Sequence, residues 1–183
     1  MADPRMATPP VTDAARREAA SHPGSWVYAI DPFFDSGERV PPYGIIGAWK
    51  VDNLGHITDE FKSNPNYRPS PRSLGMPDPT DAVDSAIQLA AAGYTDDSAV
   101  RDALLAATLF LVPDAEVVRT ESQEIILAYT STHHAPRSAP DLKSIQFKDL
   151  LSRLPCHAVI RLNHESSASA QIPIADLKRV EGA

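Results

Sequence analysis

Residues 62–79 read KSNPNYRPSPRSLGMPDP, with prolines at 65, 69, 71, 77 and 79. Proline fixes φ, supplies no backbone N–H and drives the preceding residue out of the helical region. Neither a helix nor a central strand tolerates that density. The stretch must run extended, as a linker or as an ordered strap across a surface, and it divides the chain into a front and a rear part. Elsewhere the same bias holds: 17 prolines against 8 glycines in 183 residues predict many fixed turns and few left-handed ones.

In the front part, residues 1–24 are polar and rich in Ala and Pro, which predicts a flexible tail. Residues 12–20 have the composition of a short charged helix, without an apolar stripe to dock it. Trp26, Val27, Tyr28, Ala29 and Ile30 are β-formers and read as a strand that Asp31-Pro32 stops. A loop with Asp35, Gly37, Pro41 and Pro42 follows. Residues 43–51 (YGIIGAWKV) read as a second strand, 52–55 (DNLG) as a turn and 57–61 as a third strand. Residues 25–61 are thus expected to form an antiparallel hairpin or meander, which needs further packing to be stable.

The rear part, residues 80–183, alternates helical and strand patterns. Asp81 can cap a helix with Val83, Ala86, Ile87 and Ala90 on one stripe, ended by Gly93. Asp96 or Asp97 can cap a second, with Val100, Ala103, Leu104 and Ala107. Residues 109–112 read as a buried strand ending at Pro113, and 124–130 as another strand. A polar loop over 131–140, closed by Pro140, follows. Phe147, Leu150, Leu151 and Leu154 define a helix closed by Pro155, residues 157–162 a strand, and Pro173 with Ile174, Leu177 and Val180 a last short helix. The order α-α-β-β-α-β-α predicts one mixed sheet with helices on a face; the fold class is α/β of the α+β kind.

Composition narrows the function classes. A net charge of −7 disfavours nucleic acid and anionic membrane surfaces as main partners. The lone Cys156 cannot form an internal disulfide, which fits a reducing compartment. No apolar run is long enough to span a membrane, and residues 1–23 lack the apolar run of a signal peptide. A cytoplasmic protein, without direct membrane insertion, is expected.

Two stretches carry a family resemblance. The first is Pro23-Gly24-Ser25-Trp26-Val27-Tyr28 with Ile30-Asp31-Pro32, then Val40-Pro41-Pro42-Tyr43-Gly44-Ile45-Ile46-Gly47-Ala48-Trp49. It continues through Asn64-Pro65-Asn66-Tyr67-Arg68-Pro69-Ser70-Pro71 and Leu74-Gly75-Met76-Pro77. It resembles the front half of the type VII secretion system-associated proteins of Gram-positive actinobacteria. The second comprises residues 103–113, 125–131, 150–163 and 172–177, and is similar to the N-terminal domain of the SseB (enhanced serine sensitivity) family. The chain departs from that pattern at Asn163-His164-Glu165, where the family tends to have Asn-Pro-Gly. The resemblance implies association with an ESX-type secretion locus and supplies no reaction and no catalytic residues.

His133-His134 and Cys156-His157 are adjacent pairs, which point apart on a strand, and no C-x-x-C or H-E-x-x-H is present. A metal would require convergence of residues such as His134, Cys156 and His164; none is expected, nor any cofactor. Ser166, Ser167 and Ser169 lie near His164 without a nucleophile elbow, and no phosphate-binding glycine loop exists, so no catalytic residue is assigned. The strap carries Lys62, Arg68 and Arg72 beside Phe61 and Tyr67: too few charges for nucleic acid, but suited to protein contact or to packing on the sheet, with Tyr67 and Leu74 filling gaps. Trp26, Tyr28, Tyr43 and Trp49 cluster on the hairpin. Trp26 and Tyr28 share one face of their strand, and Tyr43 and Trp49 share a face of theirs. These faces either build the core or present binding anchors. The expected partner-binding set is therefore Trp26, Tyr28, Tyr43, Trp49, Tyr67, Arg68 and Arg72, in a non-enzymatic adaptor binding a secretion component or substrate. The alternatives are a small-molecule or enzymatic pocket between front and rear parts, lined by Tyr43, His164 and Ser166, and a building block of a larger complex.

Overall fold

A computed structural model describes residues 8–34, 39–112, 117–119, 124–137, 141–164, 166 and 169–179. Residues 1–7, Asp35, Gly37, Pro113, Pro140, Glu165, Ser167 and Val180, on which sequence expectations were placed, lie outside the described residues. The chain forms two compact units, Met1–Met76 and Pro77–Ala183.

The first unit contains α1 (Asp13–Ser21), β1 (Trp26–Ile30), a 3-10 turn (Pro42–Gly44), β2 (Ile45–Val51) and β3 (Ile57–Ser63). The strands form one antiparallel sheet in the order β1-β2-β3. Val27 is opposite Trp49 and Trp49 opposite Phe61, so these three share a face. The Trp49 and Phe61 rings meet at 5.3 Å. Val27 and Trp49 belong, with Ala15, Ala19, Ala29, Ile46, Val51 and Tyr67, to the core of this unit, and Phe61 packs against it. Gly47 is a close-approach position: a Cβ there would sit 2.5 Å from the Phe61 ring and from the Lys62 carbonyl.

Three expectations for this unit are corrected. Residues 8–24 are not a free tail: Thr12 Oγ1 caps α1 by accepting from the Ala15 N–H at 3.1 Å, and Ala15 and Ala19 are buried. Two alanines at i and i+4 suffice because the helix lies against the turn at Gly55, where a Cβ would come 3.0 Å from the Ala20 Cα. Tyr43 sits in the 3-10 turn, not in β2, so it shares no strand face with Trp49. The first residues of the strap, Lys62 and Ser63, complete β3.

The second unit contains α2 (Ala82–Ala91), α3 (Asp97–Ala106), β4 (Thr108–Leu111), β5 (Val117–Arg119), β6 (Glu124–Ala128), β7 (Lys143–Gln146), α4 (Phe147–Arg153), β8 (Val159–Leu162), β9 (Ala170–Pro173) and α5 (Ile174–Lys178). Asp81 and Asp96 cap α2 and α3, as their spacing predicts, and Gly93 is left-handed at φ 74° beyond α2. The sheet is mixed, in the order β5-β6-β8-β9, with β6 and β8 parallel. Instead of joining that sheet as a full strand, β4 pairs with β7, and a bridge between Phe110 and Tyr129 links the two ladders. The sequence reading lacks β5, β7 and β9, three- and four-residue strands whose own pattern is too short to register. Leu104, Leu109, Phe147, Ile160, Leu162 and Ile174 are fully buried at the centre of a 17-residue core. Among the described residues no helix is long and apolar enough to cross a membrane. The fold class is α+β.

Candidate functional site

Alternation along β1 turns Val27 and Ala29 inward and Trp26 and Tyr28 outward. Trp26 is 42% and Tyr28 61% exposed, whereas Trp49 is 4% exposed. On the outward face Tyr28 is opposite Ala48 and Ala48 opposite Lys62; Trp26 is opposite Lys50, whose Nζ pairs with Glu60 Oε2 at 2.9 Å. Val27, Ala29, Trp49 and Val51 of the other face are core residues together with Ala15 and Ala19 of α1, and at the far end of β2 Ile46, two residues before Ala48, is buried as well. Beyond β1, Phe34 packs edge-on between Phe33 (5.3 Å) and Tyr43 (6.0 Å), and Arg68 lies 5.7 Å over the Tyr43 ring. Asn64 Nδ2 fixes the start of β2 by donating to the carbonyls of Pro42 (2.8 Å) and Ile45 (2.7 Å).

The strap is held by one buried carboxylate. Asp31, with no exposed surface, accepts from the Tyr67 hydroxyl (2.6 Å), the Ser70 hydroxyl (2.6 Å), the Ser73 hydroxyl (2.8 Å) and the N–H groups of Phe33 (2.9 Å) and Ser70 (3.1 Å). Burial raises the Asp31 carboxyl; the hydrogen bonds from Ser70, Tyr67 and the Phe33 N–H outweigh it and leave the pKa below the ordinary aspartate value.

Of the seven expected contact residues, Trp26, Tyr28 and Tyr43 are exposed large side chains, and Arg68 and Arg72 are exposed. Trp49 and Tyr67 are corrected: both are core residues, and Tyr67 is engaged by Asp31. Leu74, read as a gap filler, is 43% exposed. Tyr43 belongs to the first unit, and His164 and Ser166 to the second.

The second unit holds a polar cluster that the sequence reading missed. Asp81 Oδ1 accepts from the N–H groups of Val83 and Asp84 at 2.9 Å, and its Oδ2 accepts from the Thr130 hydroxyl at 2.7 Å. Buried Asp84 accepts from the Thr80 N–H (2.8 Å) and Gln88 Nε2 (3.0 Å). His134 Nε2 lies 2.9 Å from Thr80 Oγ1 and 3.3 Å from Asp84 Oδ2. Thr130 is fixed in turn by Asn163, which accepts from its N–H and donates to its Oγ1, both at 2.9 Å. Asn163 is itself left-handed at φ 50°.

One oxygen each from Asp81 and Asp84 and one His134 nitrogen lie within 4.8 Å of one another, a spacing open to a cation. Both carboxylates also accept hydrogen bonds from within the chain, and these bonds fasten Thr130 and His134 to the start of α2. His134 meets Thr80 and Asp84 through the same nitrogen, so the trio lacks the two-sided imidazole of a nucleophilic relay.

Each unit also carries a groove. One of about 530 Å³ lies beside Ile87, Val100, Arg101, Ile172 and Leu177; one of about 510 Å³ lies beside Val11, Arg16, Trp49 and Ile57. Neither is lined by Tyr43, His164 or Ser166. No family model, curated protein or solved structure matches the chain.

Proposed function

We propose that this chain is a non-enzymatic accessory protein of type VII secretion that binds a protein partner through the first unit. One observation carries the binding role. Among the described residues the exposed large hydrophobics are Trp26, Tyr28, Phe33, Tyr43, Leu54 and Leu74, and all six lie in the first unit. Trp and Tyr side chains are the commonest energetic anchors of protein interfaces. Here two of them project from a sheet face opposite the core. The family resemblance of residues 23–77 supplies the secretion setting. The one-sided His134 arrangement supports the non-enzymatic part of the reading.

The test is affinity capture of tagged protein from its native host, read by mass spectrometry. Wild-type protein is expected to recover a secretion component or substrate stoichiometrically, and folded Trp26→Ala and Tyr28→Ala variants to recover several-fold less. Recovery of no secretion component or substrate, or equal recovery by the variants, overturns the reading.

A further inference from the structure

We propose that the outward face of the β1-β2-β3 sheet seats an acidic segment of the partner that carries an aromatic or aliphatic anchor, lying across the row Tyr28–Ala48–Lys62. This names the partner's chemistry and rests on the protein-binding reading above.

The row follows from register. Residues directly opposite in antiparallel strands share a face, and Ala48 is opposite both Tyr28 and Lys62. Its single methyl therefore stands between an exposed phenol on one side and an exposed lysine on the other. An apolar side chain seated there covers Ala48 and the flanks of Tyr28 and the lysine methylenes, a contact made of large, rigid and amphipathic surfaces.

The charge follows from pairing. Lys50 in the neighbouring row is neutralised by Glu60. Lys62 has no ion pair among the described residues, and residues 62–72 hold three basic and no acidic side chains. The first unit is also close to neutral, with nine acidic and eight basic residues in 1–76, against 15 acidic and nine basic in 77–183. An acidic segment thus meets an uncompensated cation on the near-neutral unit, and steering favours that surface. Polyphosphate chains fit less well, because the three cations of residues 62–72 make too small a counterion-releasing surface.

The experiment titrates the isotope-labelled full chain with a random glutamate–tyrosine copolymer, with polyglutamate, with a lysine–tyrosine copolymer and with a single-stranded oligothymidylate, followed by NMR. The amides of Tyr28, Ala48 and Lys62 are expected to shift with the glutamate–tyrosine polymer, at least fivefold more tightly than with the other three. Lys62→Glu is expected to weaken that binding about tenfold, and raising salt to weaken it further. No binding of the glutamate–tyrosine polymer, equal binding by the Lys62→Glu variant, shifts confined to another surface, or preference for the lysine polymer or the oligonucleotide overturns the inference. The capture experiment separates the two levels. Loss of the partner in Tyr28→Ala with full recovery in Lys62→Glu sinks the acidic-segment inference and leaves the protein-binding reading standing. Full recovery in both sinks both.

Discussion

Among the described residues, 17 buried ones form one apolar core in the second unit, while the first unit gathers eight. The first unit makes up the difference with a polar fastener: Asp31 draws Tyr67, Ser70 and Ser73, at sequence separations of 36 to 42, onto the end of β1. The second unit has a fastener too, Asp81–Thr130–Asn163, but it trims a loop beside a core that already holds the helices to the sheet. The contrast extends to the surface. Among the described residues no large apolar side chain of the second unit is exposed, while the first leaves six outside, on the near-neutral half of an acidic chain. A small sheet with one covered face cannot bury both of its apolar sides, and the uncovered side is then available for recognition.

The comparison breaks first if the second unit does not depend on its core. Phe147, fully buried in the core it shares with residues of α2, α3 and the sheet, is expected on Phe147→Ala to cost about 3–5 kcal/mol, the usual loss for an emptied aromatic site. Urea unfolding checks it; a loss under 1 kcal/mol removes the apolar core as the chief support of this unit.

The next effect belongs to the fastener of the first unit. Asp31→Ala strands several buried donors and is expected to cost about 2–4 kcal/mol, with faster amide exchange over residues 67–74. The pH dependence has a fixed sign. The folded-state pKa of Asp31 is depressed, so its contribution is fully present above the unfolded-state value and is lost as pH falls through the folded-state value. Wild type should therefore lose stability on that acid limb, and Asp31→Asn should flatten it. An unchanged acid limb in Asp31→Asn would show that other carboxylates govern it.

The smallest expected effect on stability sharpens the surface half of the comparison. Tyr28→Ala removes a side chain that is 61% exposed and should change unfolding free energy by less than about 0.5 kcal/mol while lowering partner capture several-fold. A large loss of stability would move Tyr28 from the recognition face into the structural account.

Much of this was readable along the chain. The stripes of α2 and α3, their aspartate caps and Gly93 fix two helices by local chemistry alone, and β1 and most of β2 follow from β-branched and aromatic runs. The docking of α1 was not readable, because Ala15 and Ala19 carry little hydrophobic signal and owe their burial to the sheet core they join, with Gly55 letting the helix backbone approach closely at Ala20. Strands such as Lys143–Gln146 and Ala170–Pro173 carry almost no pattern of their own and exist because β4 and β8 offer ladders to pair with. Asp31 reads in sequence only as a strand stop, and His134 only as one of two adjacent histidines.

The sequence by itself determined the helices, the main strands, the extended strap and the absence of familiar catalytic spacing, since each depends on residues within a turn or a strand of one another. Tertiary structure decided which face of β1 is covered, that Trp49 and Tyr67 are interior while Trp26 and Tyr28 are not, and that Asp31 and Asp81 are fasteners. In β1 both alternating sets are apolar, so period two defines the faces without ranking them. Only the placement of α1 and Phe61 against one of them breaks that symmetry.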